Sequence, residues 1–377
     1  MNNIPNKFHT PINIYEFSDV KSFVEAFKIG SNDVILTHKF LADPYFKSTK
    51  IDCSYIYYED YEAGEPSEDG VDAMRKVLND TKCKRLVAVG GGSVLDAAKV
   101  LALKAKATSD IYETSFSPVR NLPLVLVPTT CGTGSETSNI AVIYMNSIGN
   151  KIGKSGTAFF SDASVLIPQL LENLPYDIFM YSALDALIHS IEVYLSPNAH
   201  PFSNVYCAEA LRLIVRNFRK MRDNGKDMRK ECLIDFLRAS SYAGIGLSNN
   251  PCGAIHACAM VFGGMHHTPH GMTNAIFMNS VLNRYAKKHP KGEIRHLVKI
   301  ICEELDIRTD VSDTFDRLSD LINGLIVLDP LSKFGMEKTF AKAYAEKVLN
   351  TQQRLIVNSY LPLSVEDFKE IFEELCT

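Results

Sequence analysis

The stretch RLVAVGGGSVLDAAKVLAL, residues 85–103, decides the fold of the first part of the chain. It begins as a short apolar run typical of a strand buried on both faces, turns at three glycines and continues with the composition of a helix. The apolar runs DVILT at 33–37 and LPLVLVPTT at 122–130 predict two further strands of this kind. A helix capped by Ser67 is predicted over SEDGVDAMRKVLND, because Ser67 precedes an acidic first turn. This alternation of strands and helices predicts a parallel sheet covered by helices.

The pattern changes after residue 175, where strand signals fade and long helical periodicities follow one another. They cover residues 178–195, 203–221, 228–246, 273–287 and 364–375. Turn signals such as Asn224-Gly225 and Gly263-Gly264 separate several of them. We therefore predict an α/β domain over residues 1–175 and an all-helical domain over residues 176–377.

Length, charge and cysteine usage narrow the class of protein. The chain has 377 residues and a formal net charge of −4, so nothing global points to nucleic acid or an anionic membrane. The basic segment 212–230 is interrupted by Asp223 and Asp227, which favours a solvated helix face over a polyanion site. Nine cysteines form no C-x-x-C pair, and neither a signal peptide nor an apolar run of about 20 residues is evident. We expect a cytoplasmic protein with reduced thiols and with neither a nucleic-acid nor a membrane partner.

Glycines lie where the strand at 85–89 passes into a helix, in the segment GGGS at residues 90–93. They let backbone N–H groups approach a pyrophosphate closely, and a helix N-terminus favours its negative charge. The alternative is a tight strand-to-helix turn without a ligand, and the triplet is not the spaced G-x-G-x-x-G fingerprint. Ser93 and Asp96 also have the spacing of a capping box.

A second polar loop, PTTCGTGSE at residues 128–136, follows the next buried strand. Its hydroxyls and flexible glycine backbone, at the carboxyl end of a strand, suit a ligand cradle. A plain surface loop is the alternative. So dense a cluster of Thr, Gly and Ser directly after a buried strand favours a functional loop.

Four side chains of the second domain have the pattern of a metal site. Asp185 and His189 are four residues apart in a mostly apolar helix, which places them on one face. His256 and His270 bracket a segment that holds four of the ten histidines. A lone Asp or His in such a helix is more often a satisfied core residue, but the four together favour a metal. One carboxylate and three imidazoles suit a divalent transition metal, either Fe²⁺ or Zn²⁺.

The motifs GGGSVLDAAK, PTTCGTGSE, D-x3-H and the downstream H-x13-H together resemble the iron-containing (group III) alcohol dehydrogenase family. Their order and spacing match that family over nearly the whole chain. The resemblance implies an N-terminal dinucleotide-binding α/β domain and a C-terminal helical metal-binding domain, with the active site in the cleft between them. It also implies a homo-oligomer, a dimer or larger.

Site residues follow from this resemblance. It assigns the cofactor phosphates to Gly91, Gly92 and Ser93. It assigns contacts with nicotinamide and ribose to Asp96, Thr129, Thr130, Ser135 and Lys151. It assigns Fe²⁺, with Zn²⁺ as the alternative, to Asp185, His189, His256 and His270.

Within the family the chain is most similar to the branch that acts on 4-hydroxybutyrate, through segments such as GEPS at 64–67, SPNA at 196–199 and QQRL at 352–355. This similarity implies reversible NAD-linked oxidation of 4-hydroxybutyrate to succinate semialdehyde. A substrate carboxylate needs a cationic or donor-rich partner, for which the candidates are Arg354, His267 and Asn249. Three alternatives are a general primary-alcohol dehydrogenase of the butanol, 1,3-propanediol or lactaldehyde type, a lyase related to dehydroquinate synthase, and a non-catalytic binding protein.

Two positions depart from the family pattern. Most members carry a second histidine four residues after the first downstream ligand, where it assists proton transfer, but this chain has Met260. His267, and less directly His266, are the nearby histidines that could take this catalytic role. Many members also carry an acidic residue after the early strand, which repels the phosphate of NADP, whereas DVILT is followed here by His38. Charge therefore does not exclude NADP, although the branch similarity favours NAD.

Overall fold

The computed structural model describes residues 7–113 and 115–377, which form two compact units. One unit is Thr10–Leu174, and the other is Pro175–Thr377 together with residues 7–9. The first unit contains all eight described strands, and the second is built from helices alone within the described residues. This confirms the predicted combination of an α/β fold with an all-helical fold.

The strands of the α/β unit form one parallel sheet and one small hairpin. They are β1 (Asn13–Glu16), β2 (Asp33–Thr37), β3 (Ser54–Tyr57), β4 (Arg85–Gly90), β5 (Leu124–Pro128), β6 (Ile140–Met145), β7 (Asn150–Ser155) and β8 (Ala163–Leu166). Six of them pair in parallel in the order β1–β8–β5–β4–β2–β3. β2, β4 and β5 are central and buried nearly throughout, which confirms the strands predicted from the three apolar runs.

The chain leaves β2 and β4 in opposite directions along the sheet. β2 leads to β3 on its outer side, whereas β4 leads to β5 on the other side. The loops after these two adjacent strands therefore diverge at the carboxyl edge. In open α/β sheets this switch point is the usual place for a bound ligand.

The α/β unit also contains the helices that accompany the sheet. They are α1 (Val20–Phe27), α2 (Lys39–Leu41), α3 (Glu68–Asp80), α4 (Gly92–Leu101) and α5 (Thr108–Tyr112). The Ser67 hydroxyl caps α3 by accepting a hydrogen bond from Gly70 N at 3.1 Å, which confirms the predicted cap. The predicted capping box of Ser93 and Asp96 is wrong. α4 begins at Gly92 with Gly91 as its N-cap, so Ser93 already lies inside the first turn.

The all-helical unit contains ten α-helices within the described residues. They are α6 (Tyr176–Leu195), α7 (Pro201–Asn224), α8 (Leu233–Asn249), α9 (Ala254–His266), α10 (His270–Lys288), α11 (Glu293–Leu305), α12 (Val311–Leu325), α13 (Ala341–Thr351), α14 (Gln353–Ile356) and α15 (Val365–Glu374). The five predicted helices are present. The one predicted over 228–246 begins later, because residues Lys226–Cys232 form a 3₁₀ segment first.

α6 is the central helix of this unit and packs against α7, α8 and α10. Its residues from Ala183 to Leu195 are all buried. α6 is the one helix in the described part of the chain that is long and apolar enough to cross a membrane, but 83% of its most apolar window is buried inside the protein. Such burial is the pattern of a core helix. The same turns also carry the ionisable side chains of Asp185, His189 and Glu192.

Candidate metal centre and nucleotide loops

Three helices of the all-helical unit bring the four predicted metal ligands together. α6 carries Asp185 and His189 one turn apart on the same face. His256 lies in the first turn of α9, and His270 is the first residue of α10. Asp185, His189 and His256 are buried, whereas the His270 side chain is half exposed.

Distances between the ligand atoms define the cluster. Asp185 Oδ1 lies 3.6 Å from both His256 Nε2 and His270 Nε2. Asp185 Oδ2 lies 3.9 Å from His189 Nδ1, and the rings of His189 and His256 stack with centroids 4.6 Å apart. The carboxylate of Asp185 is thus surrounded by three imidazoles that come from three helices.

The amide of Asn274, one turn along α10 from His270, shows that these atoms suit a cation. Its Nδ2 lies 2.9 Å from Asp185 Oδ1, 3.1 Å from His256 Nε2 and 3.2 Å from His270 Nε2. An amide nitrogen has only two hydrogens and cannot satisfy three acceptors. Asn274 Oδ1 is buried and has no hydrogen-bond partner among the described residues. This surplus of acceptors, one carboxylate oxygen and two imidazole nitrogens, fits Fe²⁺ or Zn²⁺.

Glu192, on the same helix as Asp185, fixes the orientation of the His256 ring. Its Oε2 accepts a hydrogen bond from His256 Nδ1 at 2.6 Å, and its Oε1 accepts one from Ile255 N at 2.6 Å. Because Nδ1 carries the proton, Nε2 presents its lone pair towards Asp185 and His270. A carboxylate behind a histidine ligand is a common arrangement in metal sites. The sequence signal for Glu192 is a lone carboxylate three residues after His189 in an apolar helix.

Cys252, like Glu192 and Asn274, is a residue of the centre that the sequence patterns did not indicate. Its Sγ belongs to a compact buried group with ring nitrogens of His189 and His256, all within 4.8 Å of one another. Burial raises the pKa of the Cys252 thiol, but the two imidazoles outweigh it and bring the pKa below its ordinary value. The thiol lies in the loop before α9, where no spacing rule connects it with the other ligands.

The buried carboxylate of Asp185 and the imidazoles around it shift one another's pKa values in opposite directions. Burial raises the pKa of the Asp185 carboxyl, but His189, His270 and His256 together hold it well below its usual range. Burial lowers the pKa of His189, but the Asp185 carboxylate and the Cys252 thiol together more than reverse this effect and raise the pKa above its ordinary value. The pocket therefore favours positive charge next to Asp185, which a divalent cation would supply.

Two glycines allow the helices to approach closely enough to form the centre. A Cβ on Gly271 would overlap the carbonyl of Tyr181 and stand 3.2 Å from Asp185 Cβ. A Cβ on Gly253 would lie 3.2 Å from Glu192 Oε1. α10 therefore approaches α6 at Asp185 only because residue 271 has no side chain, and a side chain at residue 253 would make the contact with Glu192 tight.

The remaining histidines of the segment have different surroundings. His266 Nε2 lies 2.6 Å from the Tyr344 hydroxyl, and its ring stacks on Phe262, so it is fixed in the packing of α9 against α13. His267 ends α9 in the left-handed conformation, with φ of 53°, and its side chain is exposed. Met260 is half-buried one turn after His256 and contacts Arg354.

The two predicted nucleotide loops lie side by side at the carboxyl edge of the sheet. β4 and β5 are paired up to Gly90 and Pro128, and Thr129 N donates to Gly90 O at 3.0 Å. A Cβ on Gly92 would stand 2.8 Å from the Thr133 methyl group, and one on Gly91 would stand 3.5 Å from that of Thr130. The loops therefore pack closely, and the backbone N–H groups at the start of α4 occupy a helix N-terminus suited to phosphate.

Three charged residues near these loops are engaged with the protein. Asp96 accepts from the Ser135 hydroxyl at 2.6 Å and from Val142 N at 2.9 Å, so it joins α4 to the second loop and to β6. Lys99 is fully buried and donates to Ile140 O at 2.7 Å. Lys151, on β7, pairs with Glu65. The geometry gives Asp96 a role in holding the loop, and its predicted ribose contact stays a prediction.

The position directly after β2 holds His38, which lies next to a carboxylate from the turn after the neighbouring strand. Glu59 follows β3 in the 3₁₀ turn Tyr58–Asp60. Glu59 Oε2 lies 3.0 Å from His38 Nδ1, and its Oε1 accepts from Lys39 N at 2.7 Å. Asp60 pairs with the Lys39 ammonium. The carboxylates of Glu59 and Asp60 therefore lie at the edge of the sheet where β2 and β3 end.

Known proteins that match this chain define its class. The family described as iron-containing alcohol dehydrogenase matches residues 13–168, and the Fe-containing alcohol dehydrogenase family, C-terminal, matches residues 179–376. The chain is 37% identical over 363 residues to 4-hydroxybutyrate dehydrogenase from Clostridium kluyveri, which covers 96% of this chain and 97% of that protein. The chain belongs to the iron-containing alcohol dehydrogenase family, and it is an enzyme of that type. Its substrate is accordingly a small-molecule alcohol or aldehyde.

A more distant relative and two solved structures are also similar to this chain. Long-chain-alcohol dehydrogenase 1 from Geobacillus thermodenitrificans is 29% identical over 84% of this chain and 80% of its own length. The crystal structure of sulfoacetaldehyde reductase from Bifidobacterium kashiwanohense in complex with NAD⁺ has a TM-score of 0.83 at 19% identity and covers 99% of each chain. An alcohol dehydrogenase from Oenococcus oeni has a TM-score of 0.84 at 21% identity and covers 98% of this chain and all of that one. These structures share the fold.

Proposed function

We propose that this protein catalyses the reversible NAD-linked oxidation of 4-hydroxybutyrate to succinate semialdehyde. The observation that carries this proposal is the identity of 37% with 4-hydroxybutyrate dehydrogenase over 96% of the chain. The buried cluster of one carboxylate and three imidazoles supplies the site at which the alcohol oxygen would react.

Asp185, His189, His256 and His270 would hold the metal, which we propose is Fe²⁺, with Zn²⁺ as the alternative that the same donors accept. When bound, the ion supplies Lewis-acid polarisation of the substrate oxygen. The protein prepares this site in advance, because Glu192 fixes the His256 tautomer and Gly271 lets α10 approach Asp185. Asn274, whose amide lies at the meeting point of the acceptors, would have to turn or shift to admit a cation.

The coenzyme would bind along the carboxyl edge of the sheet. Gly91, Gly92 and Ser93 would receive the phosphates at the start of α4, and the loop from Thr129 to Ser135 would face the nicotinamide and ribose. When bound, NAD is the acceptor of the hydride from the carbinol carbon. A structural relative with the same fold was crystallised with NAD⁺, which supports this proposal.

Glu59 supports NAD over NADP. Its carboxylate stands beside His38 at the end of β2, where NADP would bring its additional phosphate, and Asp60 offsets the Lys39 charge. We expect E59Q to improve NADP relative to NAD about five- to tenfold in kcat/KM, because one repulsive charge is removed. The control is E25Q, which neutralises an exposed glutamate on α1. An unchanged coenzyme ratio in E59Q contradicts this role for Glu59.

The proton of the alcohol needs a carrier, and Met260 cannot be one because a thioether has no ionisable hydrogen. We propose His267 for this role, since it is the exposed histidine beside the metal-ligand segment. The activity of H267A should then fall and its pH profile should change. If H267A keeps the wild-type pH profile, water or the cofactor ribose carries the proton instead.

A substrate panel tests the proposed function. Iron-reconstituted protein is assayed for NADH and NADPH formation with 4-hydroxybutyrate, 1-butanol and 1,3-propanediol. A preference for 4-hydroxybutyrate in kcat/KM supports the proposal. Equal activity with the unsubstituted alcohols contradicts it and leaves the general primary-alcohol dehydrogenase.

The assembly and the compartment are also proposals. We propose a homo-oligomer, dimer or larger, which light scattering of the purified protein would test. We propose a cytoplasmic location, which is supported by nine cysteines that are all free thiols. Fractionation of the producing cells, followed by detection of the protein, would test this location.

A further inference from the structure

We propose that Arg354 on α14 is the binding site for the carboxylate of the substrate. Its side chain contacts Met260 on α9, the helix that carries His256. The inference rests on the proposed function, and it names the part of the protein that would select a hydroxy acid over a plain alcohol. It accounts for two features at once, which are a methionine one turn after the ligand His256 and an arginine in contact with that methionine.

Position 260 places Arg354 close to the metal centre. Met260 follows His256 by four residues on α9, so the two side chains lie on the same face with Cβ atoms about 5–6 Å apart. Arg354 Nη2 lies 3.7 Å from Met260 Sδ. A substrate with its hydroxyl at one end and its carboxylate at the other could therefore extend from the ligands towards the guanidinium.

The backbone around Arg354 is anchored, which favours a fixed binding group. Leu355 is buried, and α14 packs against α9. Asn358 is also buried, and its Nδ2 donates to Arg354 O at 2.8 Å. Asn358 Oδ1 in turn accepts from Asn198 Nδ2 at 3.2 Å. The loop after α6, at Asn198, and the segment after α14, at Asn358, thus meet behind Arg354.

The charge of Arg354 is available to a ligand. Its side chain is exposed, and within the described residues it forms no ion pair with a carboxylate. Arginine carries five N–H donors in a planar fork that matches a carboxylate in two-point contact. A polarisable thioether is only a weak acceptor, so Met260 supports the guanidinium without neutralising it. A histidine in the same place would take one of these donors or, when protonated, repel the arginine.

The other two candidates for this role are less suited. The side chain of Asn249 already forms hydrogen bonds within the protein. Its Oδ1 accepts from His9 N at 2.8 Å, and its Nδ2 donates to His9 O and Ile245 O. His267 is exposed but carries a full positive charge only when protonated. Arg354 is the one of the three that offers a permanent charge and an uncommitted set of donors.

The test compares one hydroxy acid and one plain alcohol in wild type, R354Q and R354K, all metal-loaded. We expect R354Q to lower kcat/KM for 4-hydroxybutyrate about 10- to 100-fold, mainly through KM, since a charge-assisted hydrogen bond to a carboxylate is lost. Activity with 1-butanol should stay at the wild-type level, because that substrate has no carboxylate. R354K should recover part of the loss, since it keeps the charge but not the planar fork.

Inhibition by butyrate gives an independent measurement, because butyrate has the carboxylate but no hydroxyl. Butyrate should inhibit 1-butanol oxidation in wild type and lose this effect in R354Q. The control variant is R317Q, which removes an exposed arginine that pairs with Asp320 on α12. R317Q should leave both alcohols and the butyrate inhibition unchanged.

Each failure has a different meaning. If wild type does not prefer 4-hydroxybutyrate over 1-butanol, the proposed function is wrong. If wild type has this preference and R354Q keeps it, the function stands and the Arg354 site is wrong. Equal losses with both alcohols in R354Q also contradict the site, because they indicate a general structural role for Arg354.

Discussion

The proposed nucleotide loops of the α/β unit and the proposed metal centre of the all-helical unit differ in which parts of the residues form them. The loops use backbone, with Gly91 and Gly92 at the start of α4 beside the loop after β5. The metal centre uses side chains from three separate helices, and its ligand atoms meet only if those helices pack at the right distance. The nucleotide loops require only the end of a strand and the segment that follows it. The metal centre requires the packing of helices that are remote from one another in sequence.

This difference predicts where each site is sensitive to mutation. A phosphate held by N–H groups should tolerate changes of the side chains that follow, because the donors belong to the main chain. A metal centre should be sensitive at its ligands and at the positions that let the helices approach. Five mutations and two control variants test this contrast.

The largest effect is expected when a metal ligand is removed. H189A deletes one imidazole from the cluster around Asp185. A bound metal supplies several kcal/mol of transition-state stabilisation, so we expect activity to fall about a thousandfold or more. Metal analysis after gel filtration should show that the variant no longer retains iron. Full activity in a metal-free H189A protein would falsify the metal centre.

The next effect concerns packing. G271A forces a Cβ into the Tyr181 carbonyl, a backbone atom that cannot move away by itself. We expect a loss of about 1–3 kcal/mol in unfolding free energy, with weaker metal retention because α10 moves away from Asp185. Thermal unfolding in the presence and absence of Fe²⁺ measures both effects.

Gly264 provides the matched control for this prediction. A Cβ added there meets nothing within 4 Å, and the residue is exposed in α9. G264A should keep the metal and gain up to about 1 kcal/mol from helix propensity. If G271A and G264A behave alike, close approach at Gly271 does not set the geometry of the centre.

Local sequence patterns predicted the central strands and the caps that depend on neighbours in the chain. β2 was predicted at its observed bounds, and Ser67 was identified as the cap of α3. The hairpin of β6 and β7 and helices α9 and α11–α13 were not predicted. α9 is rich in alanine and glycine and is almost uniformly apolar, so it has little of the periodicity that marks a surface helix. The capping box at Ser93 was wrong because a contact with β6, remote in sequence, occupies Asp96.

The same limit applies to the metal centre. Asp185 and His189 were recognisable because an i, i+4 pair is a local pattern. Cys252 and Asn274 join the centre through the packing of α6, α9 and α10, and no spacing in the sequence connects them with Asp185. Likewise, Glu59 reaches His38 only because β3 pairs with β2. Side chains brought together by tertiary contacts need the structure to be found.

A smaller loss of metal affinity is expected when Glu192, which orients the ligand His256, is changed. E192Q replaces two acceptor oxygens by one. The amide therefore cannot accept hydrogen bonds from both Ile255 N and His256 Nδ1 through separate oxygens. Loss of such a supporting carboxylate typically costs about 10- to 100-fold in metal affinity. Competition with a chelator measures this value.

The control for E192Q is E304Q, which changes a buried carboxylate of the same unit that pairs with Arg216 and not with a metal ligand. E304Q is expected to reduce stability and leave metal affinity unchanged. Equal metal affinities in E192Q and wild type contradict the role of Glu192 in orienting His256.

The smallest effect is expected at the nucleotide loop. S93A removes a hydroxyl but keeps the backbone N–H at the start of α4, so the KM for NAD should change by no more than a few-fold, the value of one neutral hydrogen bond. G92A should have a greater effect, because its Cβ would stand 2.8 Å from the Thr133 methyl group and push the two loops apart. Steady-state kinetics with varied NAD compares them. If S93A is the more damaging change, side chains rather than backbone hold the phosphates, and the two sites are built on the same principle.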